Sequence, residues 1–247
     1  MKKVVTTLLL SASVLFGGTI NVAVASNVSY AIDELKSEFI KSHLHTKVRV
    51  TLGSSGKLTA QIRHRAPYGI FMSANTLYPQ KLYQDNFALL EPKVYAQGTL
   101  SFFTLKNYDL LKGFELLKSK KIRRIAVANP KTAPYGKATL DALQNLKLHK
   151  LLKPKFIYGE SISQTLSYTI TAADIGIVAS ASLYSTKMQK YKEGKNWVKI
   201  KPEFYHPIKQ GIVLLKEAKD SQEYRDFYEF ILSKKAAEIF KKYGYII

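Results

Sequence analysis

Cysteine is absent from the 247 residues. That excludes disulfide staples, thiolate nucleophiles and cysteine-based zinc or iron–sulfur centres. With no Cys to carry it, a lipid anchor at an export signal is not expected. Carboxylates are scarce: 18 Asp and Glu stand against 38 Lys and Arg, for a formal net charge of +20, or +18 without Lys2 and Lys3. An excess of this size favours an anionic partner. The lysines are nevertheless scattered, and no dense basic block alternates with aromatics as in a nucleic-acid groove. No nucleic-acid partner is expected. Signatures of catalysis are missing as well. The five histidines, His43, His45, His64, His149 and His206, do not fall in an H-E-x-x-H spacing, and there is no G-x-S-x-G elbow. His43-Leu44-His45 reads as a solvated helix-to-strand connection. Ser54 has no assignable base, so no enzyme is expected.

The start of the chain, MKKVVTTLLLSASVLFGG, pairs Lys2 and Lys3 with a largely apolar run from Val4 to Phe16. The run is too short to span a bilayer, and small residues follow it. This pattern marks residues 1–18 as a secretory signal peptide. It places the mature protein in the periplasm with no stable membrane insertion. Ala23-Val24-Ala25 mimics a cleavage site. Cutting there would remove Ile20 to Ala25, which reads as the first strand, so cleavage is placed near Gly17 or Gly18.

Downstream, short apolar segments alternate with helical periodicity. Strands are expected at Ile20–Ala25, Val48–Leu52, Ile70–Ser73, Arg124–Ala128, Phe156–Gly159, Ile175–Ala179 and Gly211–Leu215. Thr99–Leu105 is apolar and extended. Helices are expected at Tyr30–Ile40, from Leu58, and at Lys137–Leu146, Ser163–Thr171, Gln222–Leu232 and Lys235–Lys242. Strand–helix alternation predicts an α/β protein with mostly parallel sheets covered by helices. Ligands in such sheets sit beyond the carboxyl ends of the strands. Four corners there carry small polar or turn residues: Ala25-Ser26-Asn27, Gly53-Ser54-Ser55-Gly56, Asn129 to Gly136, and Gly159-Glu160-Ser161. A helix start leaves N–H groups unpaired and carries partial positive charge, so several starts aimed at one point form an anion site without a formal cation. Serine fits such corners because its hydroxyl caps the helix or donates outward.

The segments INVAVASN (20–27), GSSGKLTAQI (53–62), APYGIFMSA (66–74), NPKTAPYG (129–136), GESISQ (159–164), GIVAS (176–180) and AAEIFKKYG (236–244) occur in one order along the chain. Together they resemble the signatures of the periplasmic molybdate-binding proteins of ABC transporters. The resemblance implies a two-lobed type II periplasmic-binding-protein fold, with residues 19–97 and 204–247 in one lobe and 98–203 in the other. It implies oxyanion contacts from Ser26 (hydroxyl and N–H), Asn27 (N–H), Ser54 or Ser55 or both, Tyr135 in the APYG loop, and the N–H of Ile162. Some members have Ala at the position of Tyr135 and a tyrosine where this chain has Ala179. Gly69 stands where the family usually carries an acid, and Asn75 where it commonly carries Asp.

Molybdate and tungstate are dianions that accept hydrogen bonds and donate none, so a site of donors alone suits them. A protonated phosphate needs an acceptor, and Glu160 is the one carboxylate among the corners. Sulfate has the same bonding pattern and is the closest alternative ligand. A ferric site would call for clustered tyrosines, and none of the sixteen forms a Tyr-Tyr pair. No cofactor is expected. The implied partners are a membrane permease and its ATPase, and the binding protein itself is expected to be a monomer. Residues 224–245 mix Phe, Tyr, Ile and Lys, and are read as a helical pair packed on the first lobe rather than as a lipid-binding face.

Overall fold

The computed structural model describes residues 18–247. The expected export signal, apart from Gly18, lies outside the described residues. The first sheet contains β1 (Thr19–Ala25), β2 (Lys47–Gly53), β3 (Ile70–Ser73), β4 (Lys93–Gly98) and β10 (Ile208–Leu214). Its order is β2-β1-β3-β10-β4. β1 runs parallel to both neighbours, while β10 runs antiparallel to β3 and β4. The second sheet contains β5 (Leu100–Phe103), β6 (Ile125–Ala128), β7 (Phe156–Gly159), β8 (Ile175–Ala179) and β9 (Trp197–Lys199). Its order is β7-β6-β8-β5-β9, with β5 reversed against both β8 and β9. The expected two-lobed α/β architecture is present, each sheet being mixed through one reversed strand.

β1 shows why these residues form a central strand. Val22, Ala23 and Val24 are all completely buried, as expected where helices cover both faces of a parallel sheet. Burying each valine side chain contributes roughly 1.5–3 kcal/mol. A cut after Ala25 would delete this strand from the middle of the sheet.

The helices are α1 (Ile32–Ile40), α2 (Ser55–Arg63), α3 (Leu77–Gln84), α4 (Pro134–Asn145), α5 (His149–Leu152), α6 (Ile162–Thr171), α7 (Ser180–Leu183), α8 (Gln222–Ile231) and α9 (Lys234–Lys242). Residues 26–30 form a 3-10 turn ahead of α1. Two helices begin earlier than the sequence suggests. Gly53-Ser54-Ser55-Gly56 reads as a turn, yet Ser54 is the N-cap of α2 and Ser55 its first residue. Likewise α4 starts at Pro134, so Tyr135 sits in its first turn. α3, β4 and β9 carry patterns too weak to have been expected. Tyr224, Phe227, Tyr228 and Ile231 on α8, and Ala236, Ile239 and Phe240 on α9, belong to the core against β1 and β3. Their apolar faces are therefore filled by protein.

The chain passes between the sheets twice, at Gly98–Thr99 and between β9 and β10. The departure at Gly69 has a physical reason. The ring of Tyr224 presses so closely on Gly69 that a Cβ there would overlap it. The Tyr224 hydroxyl accepts a bond from the N–H of Asn21 at 2.8 Å. Asn75 accepts from the Ser73 hydroxyl and from the N–H of Tyr78, joining β3 to the start of α3.

Candidate functional site

Each corner is a strand that ends at a helix start. β1 runs from Ala25 into the 3-10 turn, β2 into α2, β6 through residues 129–133 into α4, and β7 through Glu160 and Ser161 into α6. All four ends converge. Ser26, Asn27, Ser54 and Ser55 from the first sheet, with Tyr135 and Ile162 from the second, line one small cavity of about 10 Å³, together with Ala25, Gly53, Ala74, Ala133 and Pro134. The structure thus brings all six expected residues together. None is more than 6% exposed, so the cleft is shut. Ala179 is buried and is not among the lining residues.

The lining holds no charged side chain. Glu160, the one carboxylate near a corner, is half exposed and pairs with Lys57 at 3.0 Å. Several of the lining residues carry donors. The N–H groups of Ser55, Tyr135 and Ile162 lie in first helical turns, where no intrahelical acceptor exists. The Ser55 hydroxyl accepts from the N–H of Ala74 at 2.9 Å, which leaves its own proton to donate. The Ser54 hydroxyl is buried with no partner. An orphaned hydroxyl costs about 1–3 kcal/mol unless something accepts from it.

Two of the lining residues carry side chains that reach residues outside the lining. The Asn27 amide donates to Gln210 Oε1 at 2.8 Å and to the Tyr245 hydroxyl at 2.9 Å. The Tyr245 hydroxyl in turn donates to the Asn27 carbonyl at 2.9 Å. The Tyr135 hydroxyl lies against Gly98, where a Cβ would overlap it, and close to Gln210. Burial pushes this phenol well above its usual range, with the Asn27 amide opposing in part. The hydroxyl therefore stays protonated, and it makes no well-formed hydrogen bond. The N–H of Tyr135 belongs to the first turn of α4.

Contacts across the cleft hold it shut. The N–H of Gly56 donates to the Thr132 carbonyl at 2.9 Å, and the Ser163 hydroxyl to the Ser26 carbonyl at 2.8 Å. Ser163 and Thr132 lie inside quoted motifs, GESISQ and NPKTAPYG, but carry no sequence signal of a bridging role. Gln210 and Tyr245 stand 183 and 218 residues from Asn27, so no local pattern could have joined them.

A model of the bacterial extracellular solute-binding protein family matches residues 20–246. The chain is 32% identical over 228 residues to the molybdate-binding protein ModA of Azotobacter vinelandii, covering 92% of this chain and 89% of the relative. It is 32% identical over 231 residues to ModA of Rhodobacter capsulatus, covering 93% and 88%. It is 29% identical over 232 residues to a putative ABC transporter substrate-binding lipoprotein of Bacillus subtilis, covering 92% and 86%. The solved structure of the A. vinelandii periplasmic molybdate-binding protein matches with a TM-score of 0.85 and 31% identity, covering 92% of this chain and 99% of that one.

Proposed function

Because the chain belongs to the bacterial extracellular solute-binding protein family, we propose that it captures molybdate or tungstate in the periplasm and delivers it to an ABC importer. It is a binding protein and not an enzyme. One observation carries the ligand assignment. The cavity between the sheets is lined by hydroxyls and helix-start N–H groups, without a carboxylate or a cation, and holds a buried serine hydroxyl that has no acceptor. A fully ionised tetrahedral oxyanion supplies acceptors in every direction and needs no partner that accepts. The names of the relatives support molybdate within that class.

In this reading Ser26, Ser54 and Ser55 donate hydroxyl protons, and Asn27, Tyr135 and Ile162 donate backbone N–H groups. Residues 19–97 with 204–247 form one lobe and 98–203 the other, so the donors are split between two bodies. Each charge-assisted bond is strong, and the ligand makes the full set only when the lobes meet. Ligand therefore favours the closed state by its extra contacts there. The Gly56–Thr132 and Ser163–Ser26 bonds add to closure without touching the ligand. The loaded, monomeric protein docks on the permease–ATPase pair.

Titration calorimetry of the mature protein with molybdate, tungstate and sulfate tests the assignment. Molybdate and tungstate are expected to bind with sulfate at least about tenfold weaker, a difference of roughly 1.4 kcal/mol. Sulfate bound as tightly as molybdate would replace the assignment with a sulfate carrier.

A further inference from the structure

The excess positive charge is not evenly spread. β6, β7 and β8 are parallel and in register, with Ile125 beside both Phe156 and Ile175. Their carboxyl ends point at the cleft, so the segments that precede them gather at the opposite end of the second sheet. The reversed β5 delivers residues 104–106 to the same end. The segment before β9 joins them, since Phe103 pairs with Trp197 and the Thr104 N–H donates to the Asn196 carbonyl. Segments 104–106, 118–124, 147–155 and 190–196, with Asp174, hold thirteen Lys and Arg against two carboxylates. That is a net +11 of the +18 carried beyond Lys3.

All thirteen except Lys155 are exposed. Among the described residues only Lys106 and Lys118 have a carboxylate partner. Asp174 is already committed, accepting from Lys106 and from the N–H groups of Arg123 and Arg124. Eleven of the thirteen are lysines and two are arginines. Flexible point charges of this kind suit a diffuse sheet of negative charge better than a planar carboxylate needing a fixed fork. Among them stand Leu105, Leu151 and Ile170, exposed at 42%, 58% and 39%. Apolar side chains within a basic face are what an interfacial contact with a bilayer uses.

We propose that this far end of the second lobe is a docking surface for the anionic phospholipid surface of the membrane in which the importer resides. The cleft lies at the other end of the same sheet and stays unobstructed. Attraction between many lysines and an anionic leaflet is long-range, reversible and screened by salt. It concentrates the carrier in the layer next to the membrane without inserting any segment, in keeping with the lack of a helix long and apolar enough to cross it among the described residues.

The test is co-sedimentation of the mature protein with phosphatidylcholine vesicles, with and without about 30 mol% phosphatidylglycerol, at about 50 mM and about 500 mM salt. Binding is expected only to the anionic vesicles and only at low salt. A variant with Lys120→Glu, Lys121→Glu and Lys150→Glu should lower the partition coefficient at least about tenfold, since each basic residue near the surface adds to the attraction. A control reversing three exposed lysines of the first lobe, Lys93→Glu, Lys216→Glu and Lys219→Glu, should lower it no more than about twofold by the same measure. Unchanged molybdate titration in both variants certifies the fold and the cleft. Equal losses in the two variants would overturn the proposal in favour of net charge alone. No sedimentation with anionic vesicles at low salt would overturn it in favour of an acidic protein partner.

Discussion

Removing one hydroxyl at the end of the chain is expected to reach the ligand site. Tyr245 makes two bonds to Asn27, donating to its carbonyl and accepting from its side-chain amide, both at 2.9 Å and both buried. In Tyr245→Phe the Asn27 amide keeps Gln210, but the buried carbonyl loses its donor. Two lost bonds at about 1 kcal/mol each place the destabilisation near 2 kcal/mol. For a protein of this size that corresponds to a fall in Tm of about 4–8 °C. Asn27 also loses the anchor that aims its N–H at the cavity, so molybdate affinity should fall about fivefold, or ~1 kcal/mol. Tyr95→Phe is the matched control. Its hydroxyl is buried beside the same ring cluster and has no partner, so its loss breaks nothing. Thermal unfolding and titration calorimetry read both variants. If Tyr245→Phe melts within a degree of the parent, or Tyr95→Phe falls as far, the cluster does not support the site and the reasoning fails.

Ser55→Ala and Ser26→Ala should each weaken oxyanion binding about 10- to 150-fold, because a hydrogen bond to a charged group is worth roughly 1.5–3 kcal/mol. Calorimetry checks this, and unchanged affinity in both would remove the first-lobe corners from the site. Tyr135→Phe should leave affinity within about threefold and stability unchanged, since the hydroxyl faces Gly98 and has no bond to lose. A large loss of binding would show that the hydroxyl itself reaches the ligand. N-terminal sequencing of the exported protein should begin no later than Thr19, because processing after Ala25 would strip the central strand from the first sheet.

The parts of the fold that were legible share one property, which is that local composition and tertiary context agree. β1, β3, β7 and β8 are short apolar runs bounded by polar or glycine residues, and each lies within a residue of its expected position. Helix starts were read late where two signals compete. Gly53-Ser54-Ser55-Gly56 has the composition of a turn, but a capping serine followed by small residues opens a helix equally well. Pro134 is a helix-start residue at the first position and marks the α4 boundary in hindsight. β4 was missed because it lies at the sheet edge with Val94 half exposed, so its alternation is faint. The six corner residues were visible because each lies in a local motif. The Asn27–Gln210–Tyr245 cluster was invisible because its members come together only when β10 and the last residues dock on the first sheet.

That late docking bears on the export proposed above. A chain threaded outward from its amino end releases β1 first, yet β3 and β4 are held apart until β10 arrives between them. The second sheet draws on one unbroken stretch, residues 100–199, and can assemble while the rest is still in transit. β3, complete by residue 73, must therefore wait, unpartnered on the side away from β1, for almost the whole polypeptide to emerge. Contacts closed over such separations form slowly and leave apolar strands exposed in the meantime. Under the proposed export, the order of assembly is set by the chain: the inner module first, the outer one last, and a complete ligand cleft only after the final residues have passed.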